Sequence, residues 1–157
     1  MAQYIKIKKG LDIPLGGTAS GRLETVEPQS VGICPDDFEG HVWKSAVKEG
    51  DDVAQGTPLF FDKATSRIKI VSPLKGRVKE IRRGERRKIL VTVIESSPND
   101  LPDAKYDTSI KEQAVRQTLQ DSGLWAMMRQ RPYDIVPQTG VTPRDIFVTA
   151  FDSSPLA

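Results

Sequence analysis

Cys34 and His41 are the single cysteine and the single histidine among 157 residues, so the chain offers one thiol and one imidazole for nucleophilic or acid–base work. A catalytic nucleophile needs a convergent base, and neither residue has an assignable partner in the sequence. A zinc site would lack its usual cysteine and histidine ligands, and an intramolecular disulfide is impossible. No catalytic residue and no metal ligand is therefore assigned. A second candidate is Gly16-Gly17-Thr18-Ala19-Ser20-Gly21-Arg22-Leu23, whose glycines stand at the separation of a phosphate-cradling loop. That chemistry needs a lysine for the phosphates and a serine or threonine for magnesium, whereas positions 22 and 23 are arginine and leucine. The segment reads as a glycine-rich surface loop.

Lys63 is the third candidate, because Asp62-Lys63-Ala64-Thr65 contains an Asp-Lys-Ala run. Around it stand Glu49-Gly50-Asp51, Gly56-Thr57-Pro58 and Ser72-Pro73-Leu74-Lys75-Gly76-Arg77-Val78. These segments resemble lipoyl and biotinyl carrier domains, in which a Gly-Asp turn precedes a presented hairpin and Pro-x-x-Gly-x-Val starts the returning strand. Glycines there allow positive φ where a small flattened barrel turns its corners. The modified lysine of a carrier sits midway between the two halves. Here Lys63 lies 13 residues after Gly50 and 10 before Pro73, and Phe60 takes the place of an expected acidic residue. A lipoyl- or biotin-type carrier module modified at Lys63 is the alternative reading.

Composition excludes several classes. With 23 basic and 21 acidic residues the net charge is only +2, which argues against dedicated nucleic-acid binding. No apolar run approaches the ~20 residues of a membrane span, so any membrane link goes through partners. The start, Met1-Ala2-Gln3-Tyr4-Ile5-Lys6-Ile7-Lys8, lacks the apolar core of a signal peptide and alternates like a strand. Lys79, Arg82, Arg83, Arg86, Arg87 and Lys88 crowd one turn around Gly84, diluted by Glu80 and Glu85. They read as a solvated turn, or as a docking patch for an acidic partner or anionic lipid.

The elements that must position these groups are short. Strand-like runs are expected at residues 4–8, 23–26, 30–33, 42–47, 58–62, 67–71, 76–82 and 89–95, separated by glycine, proline and aspartate turns, the last two joined as a hairpin. Such a series points to a barrel or sandwich. After the turn-rich Ser96-Ser97-Pro98-Asn99-Asp100, a capping box at Ser109-Ile110-Lys111-Glu112 starts a helix carried by Ile110, Ala114, Val115 and Leu119. Leu124, Trp125 and Met128 suggest a second short helix ended by Pro132. The expected fold is α+β, mainly β: a carrier-like barrel-sandwich over residues 1–97, a linker and helical segment over 98–145, and over 146–157 the first strand of a truncated α/β domain.

Three ordered blocks carry a wider resemblance: Ile5-Lys6-Ile7-Lys8-Lys9-Gly10-Leu11-Asp12-Ile13-Pro14 at the start, the carrier-like middle, and the run from Ser122-Gly123-Leu124-Trp125 through Arg131-Pro132-Tyr133 to Pro155-Leu156-Ala157. Together they resemble the A-subunit family of the sodium-translocating NADH:quinone oxidoreductases, with departures at residues 31–39 and 144–145. The C-subunit family of the related electron-transfer complex shares the carrier-like region, but the Ser-Gly-Leu-Trp tail favours the sodium pump.

The resemblance implies a component of a respiratory Na+ pump that carries electrons from NADH to quinone. Flavins and iron–sulfur centres are implied in partner subunits and no cofactor in this chain. It also implies a place on the cytoplasmic side of the bacterial inner membrane, held there by other subunits. The family chain runs far beyond residue 157, so an N-terminal fragment is expected. By the same resemblance, Phe38, Gly40 and His41 on one segment and Arg131, Pro132 and Tyr133 on another are the quinone-associated candidates. Phe38 or Tyr133 would supply a ring wall, and Arg131 or His41 a donor for the quinone carbonyl.

Overall fold

Alternating apolar residues in runs of a few positions, each stopped by a turn residue, build strands here rather than helices. The computed structural model describes residues 6, 16, 21–106 and 112–149. Among these, the strands are β1 (Ser30–Ile33), β2 (Trp43–Ser45), β3 (Asp52–Val53), β4 (Pro58–Asp62), β5 (Lys69–Val71), β6 (Gly76–Arg83) and β7 (Ile89–Ser96), followed by one helix, α1 (Glu112–Asp121). They form an antiparallel sheet in the order β1-β7-β6-β3 and a second in the order β2-β4-β5. This two-sheet arrangement is the expected barrel-sandwich.

The core lies between the sheets. Val53, Leu59, Phe60, Ile68, Ile70, Val78 and Ile94 are buried there, and Trp125, Ala126 and Val136 join the same cluster. Burial of a side chain the size of Leu59 or Phe60 contributes about 1.5–3 kcal/mol. Register decides which faces meet: Val31 stands opposite Ile94, and Val78 stands opposite Ile94 from the other side. Gly76 is required by close approach, since a Cβ there would lie 2.1 Å from the Glu95 carbonyl oxygen.

Past β7 the chain stays on the barrel. Asn99 donates from Nδ2 to the carbonyls of Val53 and Gly76, both at 3.1 Å, and the Ala104 amide donates to the Gln55 carbonyl at 2.9 Å. A 3-10 turn, Leu124–Met127, follows α1 and puts Trp125 into the core. It ends at Met128, whose extended backbone stops it before Pro132 is reached.

Several expectations change. Residues 23–26 form no strand: Leu23 and Val26 are 98% and 80% exposed, and an alternating run without a neighbouring strand leaves its amides unpaired. Of the strand expected over 146–157, the described residues 146–149 form none, and residues 150–157 lie outside the described residues. The expected strand at residues 4–8, apart from Lys6, and the capping-box Ser109 also lie outside them. No helix among the described residues is long and apolar enough to cross a membrane. The chain divides into two units, residues 27–142 and residues 1–26 with 143–157; the site below belongs wholly to the first.

Candidate functional site

β4 delivers Asp62 to the edge of the turn into β5, and the next residues make its side chain a local acceptor. Thr65 donates to Asp62 Oδ2 from its amide and from its hydroxyl, both at 2.9 Å, in the turn geometry that aspartate favours. Asp62 Oδ1 lies 3.2 Å from His41 Nδ1. The other ring nitrogen, Nε2, lies 3.1 Å from the Val136 carbonyl, which can only accept. Burial alone would push the Asp62 carboxyl up; the hydrogen bonds from Thr65, His41 and the Ala64 amide outweigh it and hold the carboxyl below its ordinary range.

The loop before β2 carries the first candidate segment. A 3-10 turn at Pro35–Asp37 leads to Phe38, whose carbonyl accepts from Trp43 Nε1 at 2.9 Å and whose ring meets Trp43 edge-on at 6.2 Å. Phe38 therefore packs against the core cluster. Gly40 has φ +93°, a left-handed conformation, and a Cβ there would lie 2.8 Å from Ile135 Cβ. Both requirements select glycine.

The second segment comes back to this loop. Arg129 donates to the Asp37 carbonyl at 3.1 Å and to the Ala126 and Met128 carbonyls at 3.0 and 3.2 Å. The Val136 amide donates to the Glu39 carbonyl at 2.9 Å. Gln130 and Ile135 bridge, and the Asp134 amide closes the turn onto the Gln130 carbonyl at 2.9 Å. Trp125 Nε1 donates to the Pro137 carbonyl at 2.8 Å, and Arg116 donates to the Thr139 carbonyl at 3.0 Å, so α1 and the 3-10 turn back this segment.

The two expected segments thus adjoin, through Asp37, Glu39, Gly40 and His41 on one side and Arg129, Ile135 and Val136 on the other. Arg131, Pro132 and Tyr133 occupy the exposed turn beyond that seam. Arg131 pairs with Asp134 at 3.4 Å, and Tyr133 is 72% exposed. His41 is not a free donor, because both its nitrogens are engaged. Beside the seam lies an open depression of about 380 Å³, lined by Gly40, His41, Val42, Asp62, Lys63, Ala64 and Gln138.

Sequence reasoning misses two residues. Asp62 enters it only as a neighbour of Lys63, although its spacing to Thr65 signals a side-chain-capped turn. Arg129 yields its place there to Arg131, and nothing local separates the two. Among the described residues no group of three or more histidine, cysteine, aspartate or glutamate side chains is placed to hold a metal ion.

Comparison with known proteins places this geometry in context. Residues 5–97 match the family model of the NqrA N-terminal barrel-sandwich hybrid domain, and residues 110–157 match that of the NqrA second alpha/beta domain. The chain is 38% identical to the A subunit of the Na(+)-translocating NADH-quinone reductase of Alcanivorax borkumensis, 40% to that of Saccharophagus degradans and 37% to that of Serratia proteamaculans. Each match covers 98% of this chain and 36% of the relative, so the chain spans about a third of their length. These matches do not favour the alternative of a carrier module modified at Lys63, which stands exposed in the turn after β4.

Proposed function

Because the chain belongs to the NqrA N-terminal barrel-sandwich hybrid family, we propose that it serves as part of the NqrA subunit of a respiratory Na+-translocating NADH:quinone reductase and presents a surface to quinone. In this reading it holds no redox cofactor. NADH, flavins and iron–sulfur centres belong to partner subunits, which hold it on the cytoplasmic side of the inner membrane. The domain division at residues 97 and 145 goes with it; the family match over 5–97 supports the first boundary, whereas the second-domain match already begins at residue 110.

The observation that carries the quinone reading is the seam between Gly40 and Ile135, where two segments 95 residues apart meet beside the depression. A quinone ring needs an apolar wall and a donor for its carbonyl oxygen. Val42, 65% exposed, supplies apolar surface in the depression, and the exposed Tyr133 ring supplies more in the turn beyond the seam. Lys63 lines the depression with no acidic partner among the described residues, and it takes the donor role in place of His41 and Arg131.

The test is titration of a quinone analogue into the full complex. Tyr133→Ala removes the exposed ring, and Gly40→Ala forces Ile135 out of the seam. Each is expected to weaken binding about tenfold, the scale of one lost ring or contact. Unchanged affinity in both would defeat the assignment.

A further inference from the structure

The turn between β6 and β7 carries charge that the fold does not use. Along the hairpin, Lys79, Arg82 and Lys88 each have a carboxylate, Glu95 at 2.9 Å, Glu80 at 2.8 Å and Asp36 at 2.8 Å. Arg83, Arg86 and Arg87 have none among the described residues, and all are exposed. Among the described residues Arg83 donates only to the Arg87 carbonyl, at 3.2 Å. Arg86 and Arg87 stand in succession at φ 53° and 62°, a backbone that glycine or asparagine adopts with less strain. The turn keeps two arginines where other residues would fold more easily. Beside it Leu90 is 46% exposed and lies over Gly84.

We propose that this tip docks on anionic phospholipid headgroups, with Arg83, Arg86 and Arg87 on the phosphates and Leu90 at the level of the headgroups. Patch size decides between kinds of partner. A stable protein interface buries about 800 Å² on each side around an apolar centre, whereas this tip offers one half-exposed leucine, Leu90, among charged residues. A lipid surface instead rewards a protruding cationic tip, each basic residue strengthening partition about fivefold. Guanidinium groups also fit phosphate oxygens two at a time. The inference rests on the placement beside a membrane proposed above, but its test needs no quinone, so the two can fail separately.

The test is co-sedimentation of the full-length protein with vesicles of phosphatidylcholine alone, or with about a third phosphatidylglycerol, at low and high salt. The wild type is expected to sediment with the anionic vesicles only, and less at high salt. Replacing Arg83, Arg86 and Arg87 together by glutamine should lower partition about a hundredfold. A second variant, Arg86→Asn with Arg87→Gly, relieves the backbone; it should keep or raise the unfolding midpoint while losing about 25-fold in partition. A wild type that ignores anionic vesicles, variants that partition equally, or binding to polyglutamate as tight as to vesicles would each overturn the proposal.

Discussion

His41 Nδ1 stands 3.2 Å from Asp62 Oδ1, and the two side chains are 1% and 2% exposed. With Nε2 on the Val136 carbonyl, a single imidazole ties the end of β4 to the loop before β2 and to the segment behind α1. The same ring that the sequence offers for acid–base chemistry is therefore spent on holding the quinone-candidate segments together.

Asp62→Ala should cost about 1–3 kcal/mol, because it strands a buried imidazole and the Thr65 donors without their acceptor. Urea unfolding of the wild type and variant measures it. A loss under about 1 kcal/mol would mean that the pair does not hold the seam.

Acid should weaken the fold through the same carboxylate. Burial works to raise the Asp62 pKa, but its hydrogen bonds leave the folded value below the unfolded one, so its contribution is complete above about pH 4 and disappears as pH falls through the folded value. Asp121, lowered by hydrogen bonds from Lys69 and Gln117, acts in the same window. Stability measured from pH 7 down to pH 2 should fall below about pH 4, and less steeply in Asp62→Asn. Equal slopes in the two proteins would contradict this account.

Thr92 should be improvable. It is fully buried in the middle of β7, opposite Ile33 and Ile81, and its Oγ1 has no partner among the described residues. Thr92→Val removes an unpaired buried hydroxyl and is expected to raise stability by about 1 kcal/mol. A lower unfolding midpoint would show that the hydroxyl is bonded after all.

Much of the barrel is legible locally. The strand expected at residues 58–62 is β4 with the same ends, and the expected 76–82 and 89–95 pair is the β6–β7 hairpin. Apolar spacing also foretells α1, and the Pro-x-x-Gly run marks Gly76, where the backbone of Glu95 leaves no room for a side chain. Two-residue β3 escapes notice, being too short to show a period, and residues 23–26 mislead, because alternation predicts a strand only where a neighbour exists to pair with it.

What depends on near neighbours along the chain is therefore legible without the fold: turn positions, strand and helix periods, and the ordered blocks that identify the family. Which groups are free depends instead on contacts between distant segments. His41 and Val136 are 95 residues apart, and Arg129 reaches Asp37 across 92, so no local pattern encodes either bond. Arg129 and Arg131 look alike in the chain, but the turn closed by Asp134 and Gln130 sends one to the seam and the other to its own Asp134. Hydrogen bonding is short-ranged and directional, so a side chain's availability follows from where the fold delivers its partners rather than from its type.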